Sequence, residues 1–520
     1  MRKLEKHQII RNVTSSWFAL GMNVIVGIVL WPYILHRLGE DAAGIWVLIF
    51  SITGYYGLFD LGIRSSVIRY VSKAKATNDL EGASRVISTS LFSYSCIGAL
   101  TFLITLAISL YVDKFHGVPP EFQTTARWLL LMVGSAVALG FPLGISGGVL
   151  EGLQRFDAQR IPNIAATLVR AALIVIALQH GYGLLMVAFI TVSMPLLASV
   201  VCSIIAAQIL SVPLGWRFID RATFRDIATY GGTTLIIIIS ARLRFRSDSV
   251  IIGAFLSAAA ITYFNIGARI VDYAGEVVEN LAQVFMPMSS HSDAQGDMER
   301  LRKIFTVGNR FCAFTIFPIC AILVILGKSV IEVWVGKGYV EKSYPVLLVL
   351  LLSTTLMLAQ AASPRVLFGM SKHRTWAWVT LTEGLVNIAL SIALVRPYGI
   401  FGDAVGTALP LAVTTIFFLP WHVCRQVQIR PRTYLKEAYL LPLIICSPVV
   451  AILLLMRKWY VPHNYAGLAA QLALAGAVYG LGMLWAFTSR RAMKVGRLQE
   501  SGILEAAAAE ASIETYSQEI

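Results

Sequence analysis

One long apolar stretch of this chain carries a line of charged and polar side chains at helical spacing. They recur every three or four positions and are Asn265, Arg269, Asp272, Glu276, Glu279 and Gln283. On a helix, at 100° per residue, they fall within an arc of roughly 80°. A charge at bilayer depth is costly, so such residues usually face a bundle interior or a water-filled cavity. The pattern therefore predicts a membrane protein that binds or moves something polar.

The preceding apolar stretch supplies candidate anion ligands near its middle, Arg242, Arg244 and Arg246. Arginine donates two parallel hydrogen bonds from a planar fork, which suits phosphate oxygens. We therefore predict that Arg242, Arg246 and Arg269 contact a polar substrate. Arg244 is a further candidate, but it points away from the other two and precedes Asp248 by four residues, a spacing that favours an ion pair. In the alternative interpretation, all these arginines only balance nearby carboxylates.

Carboxylates in these stretches suggest ion coupling or charge pairing. Asp272 and Glu276 could hold a coupling H⁺ or Na⁺, or could simply line a wetted cavity wall. Earlier in the chain, Asp60 and Arg64 are four residues apart and are predicted to pair. They would form the corresponding wall of an N-terminal half.

Composition places the elements that carry these residues in a membrane. The chain has 520 residues, of which 57% are hydrophobic and 14% charged, and a soluble chain would carry far more charge. A membrane span needs about 20 mostly apolar residues. About fourteen stretches qualify, at residues 12–34, 42–63, 86–112, 124–150, 159–179, 183–211, 229–256, 258–289, 304–331, 344–370, 375–396, 399–424, 434–456 and 464–487. The fold class is therefore predicted to be an all-α polytopic membrane protein.

The distribution of basic residues indicates the orientation. The net charge is +14, and Lys and Arg concentrate at every second loop, beginning with the N-terminus. This is the positive-inside pattern and predicts that both termini lie in the cytoplasm. The basic excess then requires no nucleic-acid partner, and the bilayer itself is the expected surrounding.

A weak internal repeat predicts the domain organisation. Residues 38–96 and 255–312 follow the same order of short outer loop, span, polar loop and span. The repeat period contains six spans, an even number, so the two halves would be parallel, with a substrate site between them near the midplane. We predict a six-helix lobe at 1–211, a cytoplasmic linker at 212–228, a second six-helix lobe at 229–428, two further helices at 429–488 and a cytoplasmic tail at 489–520.

The sequence carries no motif for nucleotide hydrolysis by a P-loop or for zinc-dependent proteolysis. It contains no P-loop GxxxxGK[ST] and no HExxH. The six cysteines form no CxxC pair and the eight histidines are scattered, so a metal site is not expected. We therefore predict a transporter rather than an enzyme, with no cofactor.

Three segments carry a family resemblance. They are LGEDAAGIWVLIFSITGYYGLFDLGIRSSVIRYVSKA at 38–74, GVLEGLQRFDAQRIPN at 148–163 and RPYGIFGDAVGTAL at 396–409. These segments resemble the Wzx-type polysaccharide-biosynthesis flippases of the MOP superfamily, which are related to MurJ and to the MATE transporters. The resemblance extends over nearly the whole chain in the order of spans and loops. In the amino-acid sequence itself it covers spans 2 to 5.

The resemblance implies a function. It implies that the protein flips undecaprenyl-pyrophosphate-linked oligosaccharide across the bacterial cytoplasmic membrane by alternating access, for O-antigen, capsule or exopolysaccharide assembly. A polymerase and other assembly proteins would be its partners. A cation-coupled drug or metabolite antiporter of the same superfamily is the alternative. A membrane-embedded polymerase is disfavoured because no large outer loop is present.

Overall fold

Helices make up the regular structure of this protein. The computed structural model describes residues 21–22, 24–77, 79–112, 118–225, 227 and 247–488, and these contain no strand. We number the helices in chain order as α1 (Val24–Leu38), α2 (Glu40–Gly54), α3 (Ile63–Ala76), α4 (Leu80–Ser109), α5 (Gln123–Gly152), α6 (Phe156–Gln179), α7 (Leu184–Ile209), α8 (247–255), α9 (Ala258–Ala282), α10 (Phe285–Ala294), α11 (Met298–Val335), α12 (Val340–Leu358), α13 (Ala362–Gly369), α14 (Arg374–Val413), α15 (Leu419–Gln426), α16 (Pro431–Trp459) and α17 (Tyr465–Thr488).

The helices coincide with the predicted apolar stretches. Within the described ranges, 10 helical runs are long and apolar enough to cross a membrane. α9 is not among them, although its 25 residues give sufficient length, because the predicted charged stripe lies on it. The chain is thus a multi-pass, all-α membrane protein, as predicted. The number of fourteen spans is approximate, since the predicted spans 12–34 and 229–256 lie partly outside the described residues.

Backbone breaks divide several of the long runs. Gly399 inside α14 has φ 59° and ψ −144°, which separates the predicted spans 375–396 and 399–424. Between the 3₁₀ helix Tyr55–Asp60 and α3, Leu61 has φ 50° and Gly62 has φ 73°. These left-handed conformations end one helix and start another in a new direction.

Residues Met1–Thr262 form one compact unit. Its helices α4 and α5 approach closely because glycines lie at the contacts. A Cβ atom at Gly98 would overlap the carbonyl oxygen of Ala138, and a Cβ at Gly134 would overlap the Thr105 side chain. Small residues at helix interfaces allow this approach, and van der Waals packing drives association inside a membrane.

Residues Tyr263–Ile520 form the second compact unit. The rings of Phe305 on α11 and Tyr434 on α16 stack with centroids 4.3 Å apart in its core, and Tyr434 is fully buried. The last two spans therefore pack within this unit. The predicted lobe boundaries at 211, 228 and 428 remain predictions.

The described part of the predicted linker folds against the start of α4. The backbone N–H of Gly215 donates to the Ser88 hydroxyl at 3.3 Å, and that of Asp220 donates to Thr89 at 3.1 Å. Asp220 then caps the helical turn 221–225 by accepting from the backbone N–H and the hydroxyl of Thr223, both at 2.8 Å. The backbone bond, and then the hydroxyl, lower the pKa of the Asp220 carboxyl.

Candidate functional site

The polar stripe forms the open face of α9. The helix buries an apolar face made by every fourth residue, namely Ile266, Ile270, Ala274, Val278 and Ala282. On the other side Asp272, Glu276 and Gln283 are exposed, whereas Asn265, Arg269 and Glu279 are partly buried. The helical periodicity of the sequence therefore correctly predicted which residues share a face.

The charged side chains on the open face of α9 require a water-filled space beside them. An exposed side chain in the middle of a membrane protein meets either lipid or a water-filled space, and ionised groups are strongly disfavoured in lipid. Arg269 and Asp272 both act electrostatically on Glu276, so the three form one charged cluster. Its two carboxylates and one guanidinium suit a hydrated cavity wall.

An ion pair fixes the far end of the stripe. The Arg365 guanidinium on α13 lies 2.5 Å from the carboxylate of Glu279. The two residues are 86 positions apart in the chain. α13 is a separate short helix after the break at Ala359–Ala361, and this new direction brings the guanidinium to α9.

The predicted arginine ligands Arg242, Arg244 and Arg246 lie outside the described residues. Their roles, and the predicted pair of Arg244 with Asp248, therefore stay predictions. Asp248 itself is 9% exposed near the start of α8.

The predicted pair of Asp60 and Arg64 is wrong. Arg64 instead contacts Glu151 on α5 at 2.7 Å, and Asp60 accepts a hydrogen bond from the Tyr94 hydroxyl on α4. A spacing of four brings side chains together only on a continuous α-helix. The left-handed residues Leu61 and Gly62 interrupt that helix, so the two side chains point to different neighbours.

A buried polar hairpin in α14 was not among the predicted site residues. Thr414 donates to the Glu383 carboxylate at 2.5 Å, and the Asn387 amide donates to the Thr407 hydroxyl at 3.2 Å. Asp403 is fully buried in the same hairpin. The short π-helix Thr414–Phe418 follows directly, and π segments are frequent at functional sites. Single polar residues in separate apolar stretches gave no sign that they would meet.

The described ranges contain no group of three or more His, Cys, Asp or Glu side chains that could hold a metal ion. The candidate site on α9 is built from charged and amide side chains.

This chain is similar in sequence to proteins of known or proposed function. The family described as "Polysaccharide biosynthesis protein" matches residues 9–292. A putative O-antigen transporter of Shigella flexneri is 21% identical over 440 residues, which cover 81% of this chain and 99% of that protein. A probable low-salt glycan biosynthesis flippase of Haloferax volcanii is 21% identical over 394 residues, covering 74% and 77%.

Solved structures share the fold. The lipid II flippase MurJ in an inward closed conformation superposes with a TM-score of 0.72 at 14% identity, covering 92% of this chain and 99% of that one. An inward-facing multidrug MATE transporter of the MOP superfamily gives a TM-score of 0.64 at 15% identity, covering 78% and 94%. These similarities confirm that the chain has the fold of these two transporters.

Proposed function

Because this chain belongs to the polysaccharide biosynthesis protein family, we propose that it flips undecaprenyl-pyrophosphate-linked oligosaccharide across the bacterial cytoplasmic membrane. The proteins it resembles are transporters and flippases, and the chain is a transporter rather than an enzyme. The positive-inside pattern supports an orientation with both termini in the cytoplasm. The product would feed surface polysaccharide assembly, where a polymerase and other assembly proteins are the proposed partners.

The open charged face of α9 is the observation that carries this proposal. A glycan headgroup is large and polar and needs a wetted path past the lipid. Arg269, together with the sequence-predicted Arg242 and Arg246, would contact the pyrophosphate because guanidinium groups bind phosphate oxygens in pairs. The exposed carboxylates of Asp272 and Glu276 would hold a coupling H⁺ or Na⁺ during alternating access.

Translocation can be measured directly in vesicles. The full chain is reconstituted into proteoliposomes that contain undecaprenyl-pyrophosphate-linked oligosaccharide, and an added glycosidase reports the glycan that reaches the outer leaflet. We expect faster delivery than in empty liposomes, and further acceleration by a proton or sodium gradient. Delivery no faster than in empty liposomes would refute the flippase proposal.

Variants of α9 separate coupling from translocation. Asp272→Asn and Glu276→Gln should abolish the effect of the gradient, because a neutral amide neither takes up a proton nor balances the charge of a sodium ion. Asp293→Asn, an exposed carboxylate on α10, is the matched control and should keep it. Gradient stimulation that survives both α9 substitutions would remove these residues from the coupling role.

A cation-coupled antiporter remains the second candidate. It is favoured by the acidic balance of the exposed α9 face and by the fold shared with MATE transporters. The same proteoliposomes loaded with a fluorescent organic cation test it, since an antiporter would expel the dye under a gradient and a flippase would not.

A further inference from the structure

A second polar stripe lies on α6, within the first compact unit. Gln159, Asn163, Thr167 and Arg170 are spaced by four, four and three residues, so they share an arc of about 80°. The opposite side of α6 exposes only apolar large side chains, which are Ile161, Leu168, Val169 and Ile176. That side suits lipid. The polar side of α6 therefore has to face water, protein or a polar ligand rather than lipid.

A cavity borders this stripe. It has a volume of about 260 Å³ and is lined by Gln159, Arg160, Asn163, Ile164, Ala166, Thr167 and Arg170 of α6 and Pro195 of α7. Ligand sites in proteins usually measure about 300–1,000 Å³. The smaller space suits a compact polar group, such as a diphosphate, and excludes a whole oligosaccharide.

Arg170 is the central cation of the cavity. Its Cα lies about 21 Å along the helix axis from Phe156, at 1.5 Å per residue, which is well inside a hydrocarbon layer about 30 Å thick. It is partly buried and makes no hydrogen bond or ion pair with any residue that the structure describes. A guanidinium at this depth without a counter-charge is strongly disfavoured unless an anion or water accompanies it.

The other polar side chains of the lining carry no negative charge. The Asn163 amide donates to the Gln159 carbonyl at 2.6 Å, and the Thr167 hydroxyl donates to the Asn163 carbonyl at 3.0 Å. These donors are therefore turned to the α6 backbone. Arg160, whose guanidinium lies 5.5 Å from the Phe156 ring centroid, also borders the cavity, and the described lining contains no carboxylate.

The cavity is closed at one end. About four turns beyond the start of the stripe, the same face of α6 becomes apolar, and Ile174, Ala177 and Leu178 are buried there. They pack in one cluster with Val187 and Ile190 of α7. A ligand therefore does not enter from that end, and near the Phe156 end the Arg64–Glu151 pair lies beside Gln159.

We infer that the cavity between α6 and α7 binds a phosphate oxyanion at Arg170, and that this oxyanion is the diphosphate of the lipid-linked substrate. The inference rests on the proposed function. Arg170 would be a further substrate contact, in addition to the arginines predicted from the sequence. The phosphate of an ordinary anionic phospholipid shares the same chemistry, so the test must separate the two sources.

Equilibrium binding to the purified full chain in detergent tests the inference. The probes are undecaprenyl pyrophosphate and phosphatidylglycerol, with binding followed by native mass spectrometry. The variants are Arg170→Gln and Arg170→Lys, and the control is Arg217→Gln, which removes an exposed arginine of the linker. Losing a charge-assisted hydrogen bond should raise the Kd of Arg170→Gln for undecaprenyl pyrophosphate roughly 10- to 100-fold. Arg170→Lys should raise it less, because lysine keeps the charge without the fork, and the control should stay within about twofold of wild type.

The outcomes distinguish the two proposals. If wild type binds undecaprenyl pyrophosphate and Arg170→Gln binds it equally well, the inference fails while the proposed function stands. If wild type does not bind it, the proposed function fails and takes the inference with it. Equal affinity for phosphatidylglycerol with the same dependence on Arg170 would make the cavity a phospholipid site and overturn the inference. Should Arg170→Gln fail to fold, the same comparison is made with Arg170→Lys.

Discussion

The ion pair between Arg365 and Glu279 is expected to couple α13 to the charged helix α9. Two unit charges 4 Å apart attract by about 4 kcal/mol at an effective dielectric constant of 20. The side chains are 28% and 42% exposed, so water screens part of this attraction and desolvation offsets more of it. Exposed pairs give about 0.2–1 kcal/mol and hydrogen bonds to charged groups about 1.5–3 kcal/mol. A coupling free energy of about 1–2 kcal/mol lies between these two ranges.

A double-mutant cycle measures that coupling. Arg365→Gln, Glu279→Gln and the double variant are unfolded reversibly in mixed micelles beside wild type, and the interaction term is taken from the four unfolding free energies. Lys303 and Glu299 supply the control, since they form an i,i+4 pair at 2.8 Å with side chains 54% and 77% exposed. That pair should give no more than about 0.5 kcal/mol. If the Arg365–Glu279 term is no larger than this control, the ion pair does not hold α13 against α9.

Two further predictions concern packing and the linker. Gly134→Ala should destabilise the protein by about 1–3 kcal/mol, because the added methyl group meets the buried Thr105 side chain and overpacking has costs of this size. Gly140→Ala on the same helix, where nothing lies within 4 Å, should leave the unfolding free energy unchanged or raise it slightly. The lowered pKa of Asp220 means that its cap on the linker turn is fully present above about pH 4 and is lost as pH falls through that lowered pKa. Hydrogen exchange at the Thr223 amide should show this loss, whereas Asp220→Asn should keep a pH-independent cap. A cap in wild type that persists unchanged at the lowest pH, or a destabilised Gly140→Ala, would contradict these expectations.

The hydrophobic and polar periodicity of the sequence predicted those features that depend on one helix alone. The stripe on α9 depends only on the angle between successive residues, so the sequence located Asp272 and Glu276 on one open face. The apolar stretches likewise located the spans, because in lipid a long apolar segment must satisfy its backbone as a helix. Neither result required knowledge of what packs against what.

Pairing across helices could not be predicted in the same way. The prediction for Asp60 and Arg64 failed because it assumed an unbroken helix, whereas Gly62 allows the left-handed turn that redirects the chain. The partner of Arg365 is 86 positions away on another helix, and no local spacing encodes such a distance. Glu383 and Thr414 meet through the tertiary fold of one hairpin. Sequence reasoning therefore predicts faces well and partners poorly.

The two units differ in how their membrane charges are compensated, and this difference bears on mechanism. In the second unit Arg269 belongs to a cluster with two carboxylates, so an anion that binds there must compete with Asp272 and Glu276. In the first unit Arg64 is already neutralised by Glu151 at 2.7 Å, whereas the cavity around Arg170 has no carboxylate in its lining. An oxyanion gains most from a cation that has no existing partner, because no ion pair has to break. By the same reasoning a coupling cation gains most at α9, where negative charge is in excess. The charges thus favour an arrangement in which Arg170 of the first unit binds a phosphate of the diphosphate most strongly, while the carboxylates of α9 respond to the coupling ion.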